Sequence, residues 1–201
     1  MANAEVVVVG PGELPLITEL YNEIFRPPHD VEFFRRRLLG RYNVLLLVAN
    51  MDNRPVGFAT GFELKPSVYF AWLSGVLPDL RRMGVASQLH EAMCAWAAER
   101  DYHYTRMECH NGHRPILHMA IKMGYNIAGV RWDPDRSENL IIFEKDVLDW
   151  KHGEGPAAIG VLASPKHREE PRPQGRIHSA AAPRRMRRRH RDQTSVFDSP
   201  E

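Results

Sequence analysis

Val76-Leu77-Pro78-Asp79-Leu80-Arg81-Arg82-Met83-Gly84-Val85-Ala86 joins an apolar run at 68–75 to an amphipathic stretch at 87–100. It reads as a strand running into the start of a helix. The first turn of a helix carries backbone N–H groups with no intrahelical partner and a partial positive charge. Gly84 and Ala86 keep side-chain bulk away from those groups, which makes the turn a seat for an anion such as phosphate. Small residues also open helices for packing reasons alone, so the surrounding order of elements has to decide.

Residues 5–9 are β-branched and meet the turn-forming Gly10-Pro11-Gly12, which predicts a first strand. Over 14–25, Leu16, Ile17, Leu20, Tyr21 and Ile24 recur at three and four, the helical period, until Pro27-Pro28 stops the run. Asp30 is placed to cap a second helix over 31–39, closed by Gly40. Residues 44–51 and 56–64 flank Asp52-Asn53-Arg54-Pro55 and predict a hairpin, and Pro66 turns the chain into a third strand at 68–76. Beyond the loop the pattern predicts a helix over 85–100, a strand over 104–109, a helix over 115–123 and a closing strand pair at 126–130 and 140–145.

With 201 residues and 43% hydrophobic content, the chain holds enough apolar material for one domain and an appendage. Residues 1–150 carry 16 basic against 19 acidic residues, net −3, whereas 151–201 carry 11 against 6, net +5. The second segment is rich in Pro, Gly, Ala, Ser and Arg without apolar periodicity. It is expected to be a disordered basic tail, too poor in apolar surface to offset the entropy of ordering. The longest unbroken apolar run, 44–49, falls far short of the ~20 residues of a membrane-spanning helix. The start lacks the cationic and apolar regions of a secretion signal, and two cysteines, Cys94 and Cys109, are too few for a disulfide scaffold. The expected setting is cytoplasmic.

The loop resembles the acyl-coenzyme A loop of the GNAT superfamily of N-acetyltransferases, Val-x-Pro-x-x-Arg/Gln-Gly-x-Gly-x-Gly/Ala. Val76, Pro78, Arg81, Gly84 and Ala86 fall on that pattern. Arg82 departs from it, standing where the family usually has a second glycine, although a guanidinium there still suits a phosphate ligand. Residues 116–125 resemble the family's helix ending in Gly-Phe, with Gly124-Tyr125 in that place. The resemblance covers about residues 4–148 and implies an α/β (α+β) fold of GNAT type. That fold is a mixed, mostly antiparallel sheet of about six to seven strands flanked by about four helices. The sheet splays apart between the strand before the loop and the strand after its helix, and acetyl-CoA lies in the splay.

The same resemblance assigns cofactor contacts to Ser74, Val76, Arg81, Arg82, Met83, Gly84, Val85, Ala86 and Ser87. Backbone N–H groups from Arg82 to Ala86 would bind pyrophosphate, and the strand edge at 73–76 would pair with pantetheine. N–H groups near Leu73 and Ser74 would face the thioester oxygen. The family's proton-donating Tyr, four residues before the Gly of Gly-Phe, is replaced by Ala120. Its common Asn corresponds to His113, seven residues before Ala120 and so on the same helix face; Asn111 is offset by two. His113 is therefore the candidate for contacting the cofactor or relaying a proton, its alternative being an exposed helix-start His. Glu108 is the candidate base and Glu63 the other; strand alternation leaves the facing of each open, and both also read as surface carboxylates.

Cys109, His110, His113 and His118 carry zinc-binding groups, but adjacent strand residues point to opposite faces and positions five apart on a helix lie about 140° around, so no metal is expected. The acceptor pocket would be roofed by 26–30 and 126–131. His29 and Asp30 would meet an amine there, with Trp72, Tyr69 and Trp132 as walls, or each serves the core or a cap instead. The resulting expectation is an N-acetyltransferase moving acetyl from acetyl-CoA to an amine of a small molecule or protein, by direct attack in a ternary complex. The alternative is a non-catalytic acyl-CoA sensor. The six arginines among 184–191 add a nucleic-acid or polyanion arm as a further expectation for the tail.

Overall fold

A computed structural model of the chain describes residues 3–148. The tail expected over 151–201, with its arginine run, lies outside the described residues. Among the described residues the elements run β1 (Glu5–Val9), α1 (Leu14–Ile24), α2 (Val31–Leu38), β2 (Leu45–Met51), β3 (Arg54–Lys65), β4 (Val68–Val76), α3 (Val85–Glu99), β5 (Tyr104–His110), α4 (Arg114–Lys122), β6 (Asn126–Asp133) and β7 (Glu138–Asp146). The strands form one sheet in the order β1-β2-β3-β4-β5-β7-β6, antiparallel everywhere except β4 to β5. This is the mixed, mostly antiparallel GNAT-type sheet with four α-helices that the sequence implied.

Local chemistry explains the boundaries. Asp30 caps α2 by accepting from Phe33 N at 2.8 Å, and Gly40 follows at φ 72°. The β2–β3 turn is tighter than the four residues expected. Asp52 and Asn53 alone make it, at φ 49° and 59°, the left-handed pair that matches the twist of a hairpin. Arg54 and Pro55 instead begin β3, where a register shift at Ala49/Asn50 accommodates a residue with no N–H to donate. The β6–β7 hairpin also runs further than 126–130 and 140–145, because pairing continues to Asp133↔Glu138 before the turn at 134–137.

Helices cover the two faces of β1–β4. Phe34 of α2 packs edge-on at 6.1 Å from Trp72 of β4, while Trp96 of α3 lies 5.1 Å from Tyr69 on the opposite face. Residues 45–49 of β2 and 56–62 of β3 are accordingly buried without alternation, as expected of strands covered on both sides. β6, at the far edge, is exposed along nearly its whole length.

The two parts of the sheet meet at one parallel seam, in register from Val68↔Tyr104 to Ala71↔Met107. β4 continues to Val76 and β5 to His110 without further pairing to each other. Residues 72–76 and 108–110 therefore flank a wedge-shaped cleft with unpaired backbone on both inner edges.

Candidate active site

The quoted loop leads from the end of β4 to α3 through two left-handed residues. Arg82 has φ 65° and Gly84, the N-cap of α3, has φ 95°. Glycine reaches that region freely, whereas a side chain there costs roughly 1–2 kcal/mol, so Arg82 occupies a strained glycine-like position. Arg81 is tied back to β4 by its Nε donating to Val76 O at 3.3 Å. No side chain caps α3, and no acidic residue stands in its first turn. The N–H groups of Gly84, Val85, Ala86 and Ser87 thus stay available for an anion. Arg81, Arg82 and Met83 are exposed around them.

On β4 a bulge sits inside the cleft. Thr60 faces Leu73 and Gly61 faces Ala71, which leaves Trp72 with no opposite number on β3. A bulge disrupts the ladder locally and re-aims the backbone around it. It falls beside Leu73 and Ser74, where the resemblance put the donors to a thioester oxygen. The Ser74 side chain turns toward α3, with Oγ 3.1 Å from His90 Nε2. His90 is buried, and burial pushes its imidazole down to about 4, so it stays neutral and acts as a hydrogen-bonding clasp. On the other side of β4, a Cβ at Gly75 would meet Phe25 Cε2 at 2.8 Å and Ile24 at 3.1 Å, so α1 lies directly against the cleft strand.

On β5, Thr105 approaches Cys94 of α3 and Tyr125, so 105, 107 and 109 face α3 while 106, 108 and 110 face the opposite side. Glu108 is thus in the cleft region, on the face away from α3. Burial raises its carboxyl, with Arg106 and Arg131 opposing the shift. His110 shares that face. It reaches across β7 to β6, its Nε2 2.8 Å from Asp133 Oδ2, and that bond holds the Asp133 carboxyl below its usual range. His113 is the N-cap residue of α4, its ring perpendicular to that of His110 at 6.3 Å. Burial, then His110, push its imidazole down.

Other candidates sit elsewhere. Glu63 lies at the far end of β3, accepting from Tyr102 Oη at 2.6 Å and Asn43 Nδ2 at 3.1 Å, remote from the cleft. Tyr69 is fully buried with its hydroxyl donating to Asn43 O at 3.1 Å, so it serves the core and is no pocket wall. Trp132 is exposed on β6 and faces away from Glu108 and His110, because Arg131, not Trp132, lies opposite the Leu140 that faces His110. His29 stacks on Phe33 at 3.9 Å and is pinned through its backbone by Asn22 at 2.9 and 3.0 Å, beside an aromatic group that includes Trp72. Asp30 is engaged as the α2 cap.

Ala120 is fully buried, so that turn of α4 supplies no phenol. The hydroxyl of nearby Tyr125 is occupied in the core by Cys94 and Thr105 at 3.5 and 3.2 Å. Cys109 is no thiolate nucleophile, since burial, with Glu138 adding, pushes its thiol up to about 11. His90 and Asp133 had no role in the sequence reading, and His110 entered it only among the zinc-binding groups set aside there. The His110–Asp133 contact spans 23 positions and has no local signature.

Residues 14–125 match the profile of the acetyltransferase (GNAT) family. No curated protein sequence matches the chain. Solved structures do match it in fold. The ribosomal-protein-S18-alanine N-acetyltransferase of Escherichia coli superposes with a TM-score of 0.63 at 17% identity, covering 72% of this chain and 94% of its own. Ard1 from Thermoplasma volcanium gives 0.60 at 19%, covering 72% and 98%. The putative acetyltransferase yncA from Salmonella typhimurium, solved with its cofactor acetyl-CoA, gives 0.58 at 15%, covering 77% and 99%.

Proposed function

Because the chain belongs to the acetyltransferase (GNAT) family, matched over residues 14–125, we propose that it moves an acetyl group from acetyl-CoA to the amine of a small molecule or a protein. Attack is direct, within a ternary complex. One observation carries this reading: the strand that borders the cleft leads through the 77–84 loop to a helix start with no side-chain cap, so a donor edge and an anion seat lie on one short segment.

The residues present fit acetyl-CoA. The N–H groups from Gly84 to Ser87, with Arg81 and Arg82 exposed beside them, would hold the pyrophosphate, and the open edge of β4 beyond Ala71 would pair with the amide-bearing arm. When bound, the coenzyme supplies the acyl carbon and a thiolate leaving group. Backbone N–H groups near Leu73 and Ser74, beside the unpaired Trp72, would face the carbonyl oxygen, and the His90 clasp on Ser74 keeps that segment in place. Glu108, with its raised carboxyl, takes a proton from the incoming amine. His113, the N-cap residue of α4, is the candidate to contact the coenzyme or relay a proton. The protonated Cys109 argues against a covalent acyl-enzyme.

The missing phenol at Ala120 favours a second reading, a domain that binds acyl-CoA without turnover. Calorimetric titration of the full chain with acetyl-CoA, followed by thiol release over a panel of amines, separates the two. The panel includes an alanine amine, after the ribosomal-protein-S18 alanine in the name of the Escherichia coli protein. Saturable binding with release for one amine class supports the transferase; binding without release across the panel supports the sensor; absence of binding overturns both.

A further inference from the structure

Two side chains stand just past the end of the parallel seam and on the same face of the sheet. The last paired positions are Ala71 and Met107, so Trp72 and Glu108 come next on either side of the narrow end of the wedge. There the strands leave a pairing whose usual spacing is about 5 Å. The Trp72 ring lies 6.1 Å from Phe34 of α2, on the face that α3 does not cover. Glu108 points to that face too, because Thr105 points to α3 and side chains alternate along a strand.

The surroundings of Trp72 are aromatic. Phe33 is 6.2 Å from it, and the His29 ring stacks on Phe33 at 3.9 Å with 8° between the planes. Phe34 is fully buried and ties the group to the core. Trp72, Phe33 and His29 are only half-buried, so part of each ring faces solvent beside the cleft. Flat rings left in this state suit an apolar, planar ligand group.

Charge limits the acceptor further. The Arg37 guanidinium carbon lies 5.5 Å from the centroid of the Trp72 ring, and Arg106 and Arg131 both act on Glu108. Arg106 is tied to Glu144 at 2.6 Å. On α2, Asp30 is engaged as the cap and Glu32 with Arg35. Glu108 can match one ammonium, whereas a second on the same acceptor would meet Arg37 or Arg131.

We propose that Trp72, backed by Phe33, determines acceptor specificity, and that the acceptor is a monoamine with an aromatic ring carried two carbons from its nitrogen. The ring packs on Trp72 and Phe33 while the amine lies toward Glu108, and the arginines disfavour a polyamine. The proposal rests on the acetyltransferase reading. The same group occurs in a free arylalkylamine and in the first residue of a peptide that begins with Phe, so the assay holds both.

Thiol release by the full chain is measured at saturating acetyl-CoA with 2-phenylethylamine, propylamine, 1,3-diaminopropane, and tripeptides beginning with Phe or with Ala. The expected kcat/KM for the aryl member of one pair, amine or peptide, is at least about tenfold above that of its aliphatic counterpart, with the diamine below propylamine. Which pair shows the preference identifies the source of the ring. In Trp72→Ala that aryl-to-aliphatic ratio should fall at least about tenfold, and in Trp72→Leu, which keeps apolar volume, at least about threefold. A ratio taken on one preparation is independent of its folded fraction. Arg37→Gln should raise the diamine relative to propylamine by about fivefold. Equal use of aryl and aliphatic acceptors by the wild type, preference for the diamine, or an unchanged ratio in both Trp72 variants overturns the proposal alone. Failure to release thiol with every amine overturns the transferase reading, and this proposal with it.

Discussion

β1 to β4 and β5 to β7 belong to one sheet but are built on different terms. The first part is covered by α1 and α2 on one face and α3 on the other, and its central strands β2 and β3 bury runs of residues without alternation. The second leaves Ile127, Val130 and Trp132 of β6 more than half exposed, yet buries His110 against Asp133. One part concentrates apolar burial, the main favourable term in folding, and the other buries a polar pair beside an exposed edge. The cleft lies where they meet, so the proposed cofactor anchor falls to the covered part and the proposed acceptor chemistry to the open one.

The sharpest way to break this division is to delete a large ring from each part. Phe34→Ala, at a fully buried side chain packed on Tyr21, Phe33 and Trp72, should cost about 3–5 kcal/mol in denaturant unfolding, and Trp132→Ala within about 0.5 kcal/mol. Similar costs at the two sites would end the distinction.

Stability against pH should divide in the same way. His90, fully buried in the covered part, has its imidazole lowered from 6.5 to about 4. Between those values the unfolded chain binds a proton that the folded chain refuses. Stability therefore falls as the pH is lowered through that window, by about 3 kcal/mol from this residue. His90→Gln keeps a partner for Ser74 and should flatten that part of the curve. An unchanged slope would locate the sensitivity elsewhere.

Gly84→Glu tests the anchor alone. It sets bulk and negative charge at a left-handed N-cap, and it should weaken acetyl-CoA binding by about a hundredfold or more while far-UV circular dichroism is retained. Unchanged affinity would remove the loop from the site. The smallest effect is expected from deleting 151–201, which should alter acetyl-CoA affinity by less than about twofold, because the proposed anchor and cleft lie wholly within 72–110.

Most of the covered part was legible in the sequence because its signals are local. The cap at Asp30, the period of α1 and the loop from Val76 to Ala86 depend on neighbours a few positions away. The boundaries that moved, the turn at Asp52-Asn53 and the long β6–β7 ladder, depended on register, which a single strand does not encode. At the site, the loop residues and Glu108 are proposals read from the family's pattern, and which way Glu108 faces needed the pairing of β5. Glu63 and Tyr69 failed as site residues because chain order says little about which end of a long strand meets the cleft. The Trp72 bulge and the His110–Asp133 contact arise only once separate strands are assembled.

The seam between the two parts has a consequence in time. Parallel strands need a long crossover, and here Ala71 must find Met107 across all of α3, whereas β6 and β7 close through a short turn. The cleft has no existence until that crossover is docked. In refolding, burial of Trp72 and Trp96 should therefore run ahead of recovered coenzyme binding, and a chain arrested between the two events would own a core but no chemistry.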